Sequence, residues 1–370
     1  MKIPVLDLKP AIDELRPEID AAYHRVMESG RVILGAELEA FESEYARWVG
    51  VRHAVGVGNG LEALQMILMA SGVGPGDEVI VPSNGYIATW LAVTHAGAQP
   101  VPSEPDPQTY NLDPARLPSA LTSKTKAILP IHLYGQPADM KGLSSFAAQN
   151  GLLVVEDAAQ AHGAKCRGHA VGALGHAAAF SFYPSKNLGA LADAGAVTTD
   201  DDALAEKLRH LRNYGAKIRY QNEYLGMNSR LGELQAAFLR VKLLHLEAWN
   251  TRRVRLARRY REQLRGVGDL VLPHVPEWAQ PVWHLFAVRT AHRDPLREHL
   301  AAGGIGTQVH YPTPPHLSRA YRGAGWEAGA FPIAERLSGE VLSLPLGPHL
   351  ALEQVDCVCE AIREFFATSV

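Results

Sequence analysis

Short apolar runs alternate with amphipathic stretches between residues 54 and 213, and this alternation constrains the fold more than any other feature. The runs are typical of buried strands, and the stretches between them have helical periodicity. Repeated β-α-β alternation predicts an α/β protein with a largely parallel sheet, helices on both faces and a ligand site outside the carboxyl ends of the strands. The predicted strands are residues 54–57, 78–82, 99–101, 127–131, 152–156, 177–182 and 195–199, and the predicted helices are 61–70, 87–96, 140–150 and 203–213.

The segments on either side of this region have other patterns. Residues 11–49 are helical with a break at Ser29-Gly30, and residues 230–264 form one long helical pattern that would link two domains. The C-terminal part predicts strands at 283–289 and 307–310 and helices at 295–302 and 352–366. We therefore predict a large α/β domain over residues 1–248, which includes an N-terminal helical arm, and a small α+β domain over residues 249–370.

Charge, hydropathy and cysteine content argue against several classes of protein. The 370 residues carry a net charge of -3 without a long run of Lys or Arg, so no nucleic-acid partner is expected. No stretch reaches the ~20 apolar residues of a membrane span, and the N-terminal residues carry prolines and charges. Cys166, Cys357 and Cys359 cannot all pair within the chain and lack the spacing of a zinc site. These features predict a cytoplasmic protein with no metal and no membrane partner.

Lys186 follows the predicted strand 177–182 and a turn that begins at Tyr183-Pro184. Ligands of open α/β sheets bind beyond the strand ends, and a lysine held there with little water can have a lowered pKa and act as a nucleophile. A solvated surface lysine is the alternative, because most lysines are exposed. The other motifs decide between these two interpretations of Lys186.

A glycine-rich turn, residues 58–60, joins the first predicted strand to the next helix. With Ala63 it fits the G-x-G-x-x-A form of a dinucleotide fingerprint, so a nicotinamide enzyme is an alternative. The next strand, however, ends in residues 81–84 without an acidic residue to receive a ribose hydroxyl. Because a helix N-terminus with a close glycine backbone binds phosphate, the turn predicts a site for a single phosphate.

Asp157 directly follows an apolar strand, where a carboxylate is costly to bury unless a cation or a hydrogen-bond donor keeps it charged. It could hold a protonated ring nitrogen, or it could cap a helix. Gln160 and His162 are neutral donors nearby, although we favour a structural role for His162. A phosphate site, a strand-end carboxylate and a strand-end amine together meet the needs of pyridoxal 5'-phosphate. The combination predicts this cofactor.

Five motifs, in order along the chain, resemble those of the DegT/DnrJ/EryC1/StrS nucleotide-sugar aminotransferases. They are residues 59–64, 132–140, 156–163, 181–189 and 228–237. The resemblance implies the fold type I, aspartate aminotransferase-like architecture, with a large and mostly parallel seven-stranded sheet. It also implies a homodimer whose active sites lie at the subunit interface.

The resemblance also implies roles for individual residues. Lys186 would be the covalent anchor of the cofactor and later the proton carrier, Asp157 would pair with the pyridine nitrogen, and Gln160 would face the ring or its 3'-oxygen. Phosphate contacts are implied for Gly60, Leu61, Ser181 and, toward the partner subunit's cofactor, Asn228, while Tyr86 would stack on the ring. Substrate contacts are expected from Tyr183, Arg219, Tyr220, His310 and Tyr311. Gly85 stands where the resemblance leads us to expect threonine, so the contacts of that loop are less defined.

The identity of residue 186 bears on the reaction, because relatives that dehydrate a sugar at C3 have histidine there. Lysine favours transamination, and residues 132–140 and 306–317 are similar to the branch that acts on dTDP-linked 3-keto-6-deoxyhexoses. The resemblance therefore implies transfer of an amino group from L-glutamate to C3, which yields a dTDP-3-amino-3,6-dideoxyhexose. Two alternatives stay open: amination of a nucleotide 4-keto-sugar at C4, and a non-catalytic regulatory relative. A metal site at His310 and His316 is disfavoured, because the sequence groups no carboxylate or third histidine with them.

Overall fold

The computed structural model describes residues 2–369 and contains a seven-stranded sheet. The order across this sheet is β1-β7-β6-β5-β4-β2-β3, where the strands are β1 His53–Val57, β2 Glu78–Pro82, β3 Gln99–Ser103, β4 Thr125–Ile128, β5 Leu153–Asp157, β6 Ala177–Ser181 and β7 Gly195–Thr199. β7 is antiparallel to both of its neighbours, and the other pairs are parallel. The predicted α/β fold with a largely parallel sheet is confirmed.

Helices surround the sheet and continue into the C-terminal part of the chain. They are α1 Lys9–Glu14, α2 Arg16–Ser29, α3 Ala36–Val49, α4 Gly60–Ala70, α5 Ala88–His95, α6 Leu117–Ala120, α7 Met140–Asn150, α8 Asp202–Leu211, α9 Glu233–Leu243, α10 Leu246–Gln263, α11 Arg293–Ala302, α12 Pro332–Glu340 and α13 Leu352–Ser369. The predicted break after the first helical pattern is present, because α2 ends at Ser29 and Gly30 follows with φ +63°.

Strand β6 lies inside the sheet and contributes alternate residues to the two faces. Ala177 and Ala179 lie in the core that holds α4, α5 and α8, whereas Ala178 and Phe180 lie in the core that holds α3 and α9. This period of two is the geometry of a pleated strand that is covered on both faces. It explains why the strand is apolar throughout and why its first polar residue, Ser181, marks the edge where a ligand can bind.

The C-terminal part has its own apolar core and a two-stranded antiparallel sheet, β8 Phe286–Arg289 and β9 Val341–Leu344. Helices α11 and α13 pack there, together with the second half of α10. The predicted boundary at 248/249 falls within α10. The first turns of α10 pack with the helices of the large sheet, and its last turns pack in the C-terminal core, here called the small core. The division into these two domains stays a prediction.

Two predictions for the C-terminal half were wrong, and two elements there were missed. The helical pattern at 230–264 is two helices, α9 and α10, because the chain turns at Leu244-His245 so that α9 packs on α2 and α3 while α10 reaches α13. The predicted strand at 307–310 makes only an isolated bridge between Gln308 and Ser343. Helix α12 and strand β9 were not predicted. 

Two smaller sheets lie outside these cores. A hairpin pairs Ala216–Ile218 with Gln221–Asn222, and a three-stranded sheet joins Lys165–Cys166 to His169–Ala170 and Ala279–Gln280. Within residues 2–369, no helix has the length and apolar character needed to cross a bilayer. The same residues contain no group of three or more His, Cys, Asp or Glu side chains placed to hold a metal ion.

Candidate active site

A cavity of about 760 Å³ lies at the carboxyl ends of β5 and β6 and extends to the small core. Ten of the thirteen residues predicted for the site line it: Gly60, Leu61, Tyr86, Asp157, Gln160, Ser181, Tyr183, Lys186, His310 and Tyr311. The volume is within the range of small-molecule binding sites. Residues that lie far apart in the sequence therefore meet in one cavity, as expected for the carboxyl edge of an open α/β sheet.

Lys186 lies in a turn that follows β6 directly. Its backbone N–H donates to the carbonyl of Tyr183 at 2.8 Å, and the neighbouring Asn187 side chain donates to Asn250 at 2.9 Å and to the carbonyl of Val282 at 3.0 Å. These hydrogen bonds fix the turn, and the Lys186 side chain lines the cavity. Burial lowers the pKa of Lys186 from 10.5 to about 8, and the negative charge of Asp157 opposes this shift.

Asp157 is the last residue of β5 and is only 7% exposed. Thr89 Oγ1 donates to its Oδ2 at 2.7 Å, and the N–H of Ala159 donates to its Oδ1 at 3.1 Å. Burial raises the pKa of Asp157, whereas these two donors and the charge of Lys186 act in the opposite direction. The carboxylate is fixed in orientation and faces the cavity, so it can hold the proton of a ring nitrogen.

The N-terminus of α4 supplies donors for a phosphate. Asn59 caps the helix by accepting from the N–H of Glu62 at 2.9 Å, whereas the N–H groups of Gly60 and Leu61 donate to no other residue within 2–369. These are the groups that a helix N-terminus offers to an anion. A Cβ added to Gly60 would lie 2.8 Å from Cβ of Ser181, so only glycine permits the close approach of α4 and β6. The predicted phosphate site therefore has free donors and room for a ligand.

Gln160 connects the wall of the cavity to Tyr311. Its Oε1 accepts from the N–H of Tyr134 at 2.6 Å, and its Nε2 donates to Tyr311 Oη at 3.0 Å. The rings of Tyr311 and Tyr86 lie 5.1 Å apart at an angle of 33°. Both polar atoms of Gln160 are engaged, so its side chain orients Tyr311 and also lines the cavity.

His310 reaches the cavity from the small core. Its carbonyl accepts from Tyr134 Oη, and its Nδ1 lies 2.8 Å from Ser343 Oγ. Burial, followed by the charge of Lys186, lowers the pKa of His310 to about 4. The imidazole is therefore neutral at pH 7. His316, the other histidine of this segment, lies 3.0 Å from Glu335 and does not line the cavity.

Three predicted site residues do not line the cavity of their own chain. Arg219 and Tyr220 lie in the exposed hairpin, where Tyr220 is 83% exposed, and Asn228 lies exposed on the surface. Arg219 Cζ lies 5.0 Å from the centre of the Tyr220 ring. The predicted contacts of these three residues with cofactor and substrate stay predictions.

The motif of residues 156–163 also contains structural residues. Glu156 is fully buried, and its carboxylate accepts from the N–H groups of Gly172, Leu174 and Gly175 at 2.8–2.9 Å. His132 Nε2 lies 2.9 Å from its Oε2. His162 is fully buried against the rings of Phe180 and Phe182, outside the cavity lining. Burial lowers the pKa of His162 to about 3. A structural role fits His162 better than that of a donor in the site.

Several cavity residues were missed from the sequence. Thr89 is three residues after Tyr86, a helical spacing that could have indicated a shared face. His284 and the apolar residues Val5 and Leu6 also line the cavity. No local pattern could have indicated these three, because their place in the cavity depends on contacts between distant segments.

The fold and site define the class of the protein: a fold type I, aspartate aminotransferase-like α/β protein, in which a lysine, an aspartate and a helix N-terminus converge at the carboxyl edge of a seven-stranded sheet. Within this class, residues 13–363 match the model of the DegT/DnrJ/EryC1/StrS aminotransferase family. The chain belongs to this family, as the five motifs predict.

Curated relatives and a solved structure support the same assignment. The chain is 55% identical to the erythromycin biosynthesis sensory transduction protein EryC1 of Saccharopolyspora erythraea, over 98% of this chain and 99% of that one. It is 54% identical to the dTDP-3-amino-3,4,6-trideoxy-alpha-D-glucose transaminase of Streptomyces venezuelae, over 98% and 96% of the two chains. The crystal structure of S. venezuelae DesV in complex with a ketimine intermediate is 54% identical, has a TM-score of 0.98 and is covered completely, as is this chain. The fold type I prediction is confirmed.

Proposed function

We propose that the protein is a pyridoxal-phosphate-dependent aminotransferase that moves an amino group from L-glutamate to C3 of a dTDP-linked 3-keto-6-deoxyhexose. The product would be a dTDP-3-amino-3,6-dideoxyhexose. The observation that supports this most directly is the convergence of Lys186, Asp157 and the free N–H groups of Gly60 and Leu61 in one cavity. The names of the relatives favour a dTDP-sugar and its 3-amino position.

The residues present fit the cofactor. The N–H groups of Gly60 and Leu61, with Ser181 beside them, would hold the phosphate, and Asp157 would hold the proton of the pyridine nitrogen. Tyr86, which is 55% exposed, would cover the face of the pyridine ring. When bound, pyridoxal phosphate supplies an electron sink that stabilises negative charge on the reacting carbon of the substrate.

Lys186 would perform the proton transfers. A pKa of about 8 leaves a useful fraction of its amine neutral near pH 7, so it can take a proton from a substrate carbon and return it to another atom. The cavity limits access of water to this amine, which is the cause of its lowered pKa. Asp157, fixed by Thr89 and by the N–H of Ala159, would keep the ring nitrogen protonated throughout.

Two measurements test the proposal. Purified protein should bind pyridoxal phosphate, borohydride should then fix the cofactor covalently, and mass spectrometry should locate the adduct on Lys186. With glutamate, the loaded enzyme should aminate a dTDP-3-keto-6-deoxyhexose in preference to the 4-keto isomer. A protein that takes up no pyridoxal phosphate would contradict the proposal, and preferential turnover of the 4-keto-sugar would favour the C4 alternative.

A regulatory role is the second candidate, because one relative carries the name of a sensory transduction protein. Lys186, Asp157 and Ser181 are all present and line one cavity, which favours catalysis. A cofactor-loaded protein that glutamate cannot convert to the amine form would favour regulation.

We also propose that the protein works as a homodimer with shared active sites. Arg219, Tyr220 and Asn228 are exposed and do not line the cavity of their own chain, and Leu225, near them in the sequence, is 93% exposed. Exposed apolar residues next to unused polar ones are typical of an interface. A Lys186→Ala chain and an Asn228→Ala chain should each be inactive, and mixed refolding of the two should restore activity in hybrid dimers. No recovery in verified hybrids would contradict shared sites.

A cytoplasmic location is part of the same proposal. The three cysteines form no disulfide, which suits a reducing compartment. Nucleotide-linked sugar and glutamate are the small-molecule partners that this proposal requires.

A further inference from the structure

His284 lines the cavity, although neither the motifs nor the proposed proton transfers use it. It is 7% exposed, and its Nδ1 is sealed from solvent without a hydrogen-bond partner among the described residues. A buried N–H without a partner is more costly than a buried lone pair in the same position. The ring proton therefore belongs on Nε2, which is the nitrogen that can meet a ligand in the cavity.

The backbone around His284 is held by several independent contacts. The N–H of Val282 donates to the carbonyl of Gly135 at 2.9 Å, and Asn187 donates to the carbonyl of Val282 at 3.0 Å. Trp283 has φ +52°, a left-handed conformation that a bulky residue adopts only where its surroundings impose it. The segment that carries His284 is thus fixed to the turn of Lys186.

A buried cation lies behind this segment. Arg253 donates to the carbonyls of Trp283, His284 and Leu346 at 3.2–3.4 Å and is only 3% exposed. Burial, and then the charges of Lys186 and Arg253, keep the pKa of His284 well below its usual value. The imidazole is neutral, and it lies in a region of positive potential. A potential that disfavours a second cation favours a carboxylate.

The proposed reaction requires such a group. An amino-acid donor carries its α-carboxylate one bond from the carbon that Lys186 deprotonates, so the residue that binds it must lie beside Lys186. Among the described residues lining the cavity there is no arginine, and Lys186 is occupied by proton transfer. His284 lines the same cavity as Lys186, and its Nε2 has no hydrogen-bond partner among the described residues.

We propose that His284 binds the α-carboxylate of the amino donor through Nε2–H, supported by the positive potential of Arg253. This inference rests on the proposed function and adds the residue that selects an amino acid as donor. Loss of one hydrogen bond to a charged group predicts a roughly 10- to 100-fold weaker affinity.

The test separates the glutamate half-reaction from the sugar half-reaction. His284→Leu should raise the glutamate concentration at half-saturation roughly 10- to 100-fold, with little change in the KM for the keto-sugar. His284→Gln, whose side-chain amide can place a donor near the position of Nε2, should recover much of the affinity. His299→Leu, on α11 and outside the cavity lining, is the matched control and should behave as wild type. Thermal unfolding of each variant identifies any that fail to fold.

Binding of glutarate, an unreactive dicarboxylate, by calorimetry gives a second readout that needs no turnover. It should weaken in His284→Leu and recover in His284→Gln. Unchanged glutamate and glutarate affinities in a folded His284→Leu would overturn the inference, as would loss of glutamate affinity in Arg219→Ala alone, which would assign the carboxylate to the hairpin. If wild type itself shows no half-reaction with glutamate, the proposed function fails, which is a different outcome.

Discussion

The lowered pKa of Lys186 leads to a quantitative prediction about its reactivity before any cofactor binds. With a pKa of about 8, about one Lys186 side chain in eleven is neutral at pH 7, against about one in 3,000 for a lysine with the reference value of 10.5. Neutral amine is the reactive form, so Lys186 should react up to about 300 times faster at pH 7 than an equally accessible lysine with the reference pKa.

Competitive labelling measures this directly. Cofactor-free protein would be treated with a trace of acetic anhydride between pH 6 and 10, with Nα-acetyl-lysine as an internal standard, and the peptide that carries Lys186 would be quantified by mass spectrometry. The labelling rate should level off above pH 8. Asp157 raises the pKa of Lys186, so the midpoint in Asp157→Asn should lie below that of wild type. A rate that keeps rising tenfold per pH unit through pH 9, as for the standard, would refute the reasoning.

Three further perturbations test the cofactor site and its support. Gly60→Ala should loosen the phosphate site, because the new Cβ would lie 2.8 Å from Cβ of Ser181. Dialysis should therefore remove pyridoxal phosphate faster from this variant than from the control Gly339→Ala, where an added Cβ meets nothing within 4 Å. Asp157→Asn should slow the glutamate half-reaction roughly 10²- to 10³-fold, the usual effect of removing one fixed electrostatic group, and stopped-flow absorbance would measure it. Glu156→Gln should lower the free energy of unfolding by about 3 kcal/mol or more, since an amide cannot accept from all three backbone N–H groups that the carboxylate satisfies. A variant as stable as wild type in urea denaturation would contradict this.

The sequence predicted the strands of the large sheet well, because each strand and helix there has its own periodicity and is bounded by a turn. It failed where local signals were weak. Nothing at Leu244-His245 resembles a helix break, since neither proline nor glycine is present. The chain nevertheless turns there, so that the last turns of α10 reach the small core whereas α9 packs on α2 and α3. Strand β9 follows α12 at once, from Glu340 to Val341, so no turn marks the change from helix to strand.

For the site, the sequence by itself located the ends of strands β5 and β6 and the start of α4 to within one residue, and it therefore predicted that Asp157, Lys186 and Gly60 lie at one edge of the sheet. Only the tertiary structure decided their surroundings. Thr89 donates to Asp157, Arg253 donates to the carbonyl of His284, and His310 lines the cavity. Each of these contacts joins segments that are far apart in the chain. Periodicity is a property of neighbouring residues, whereas burial, local potential and the resulting pKa of Lys186 depend on every segment that packs around it.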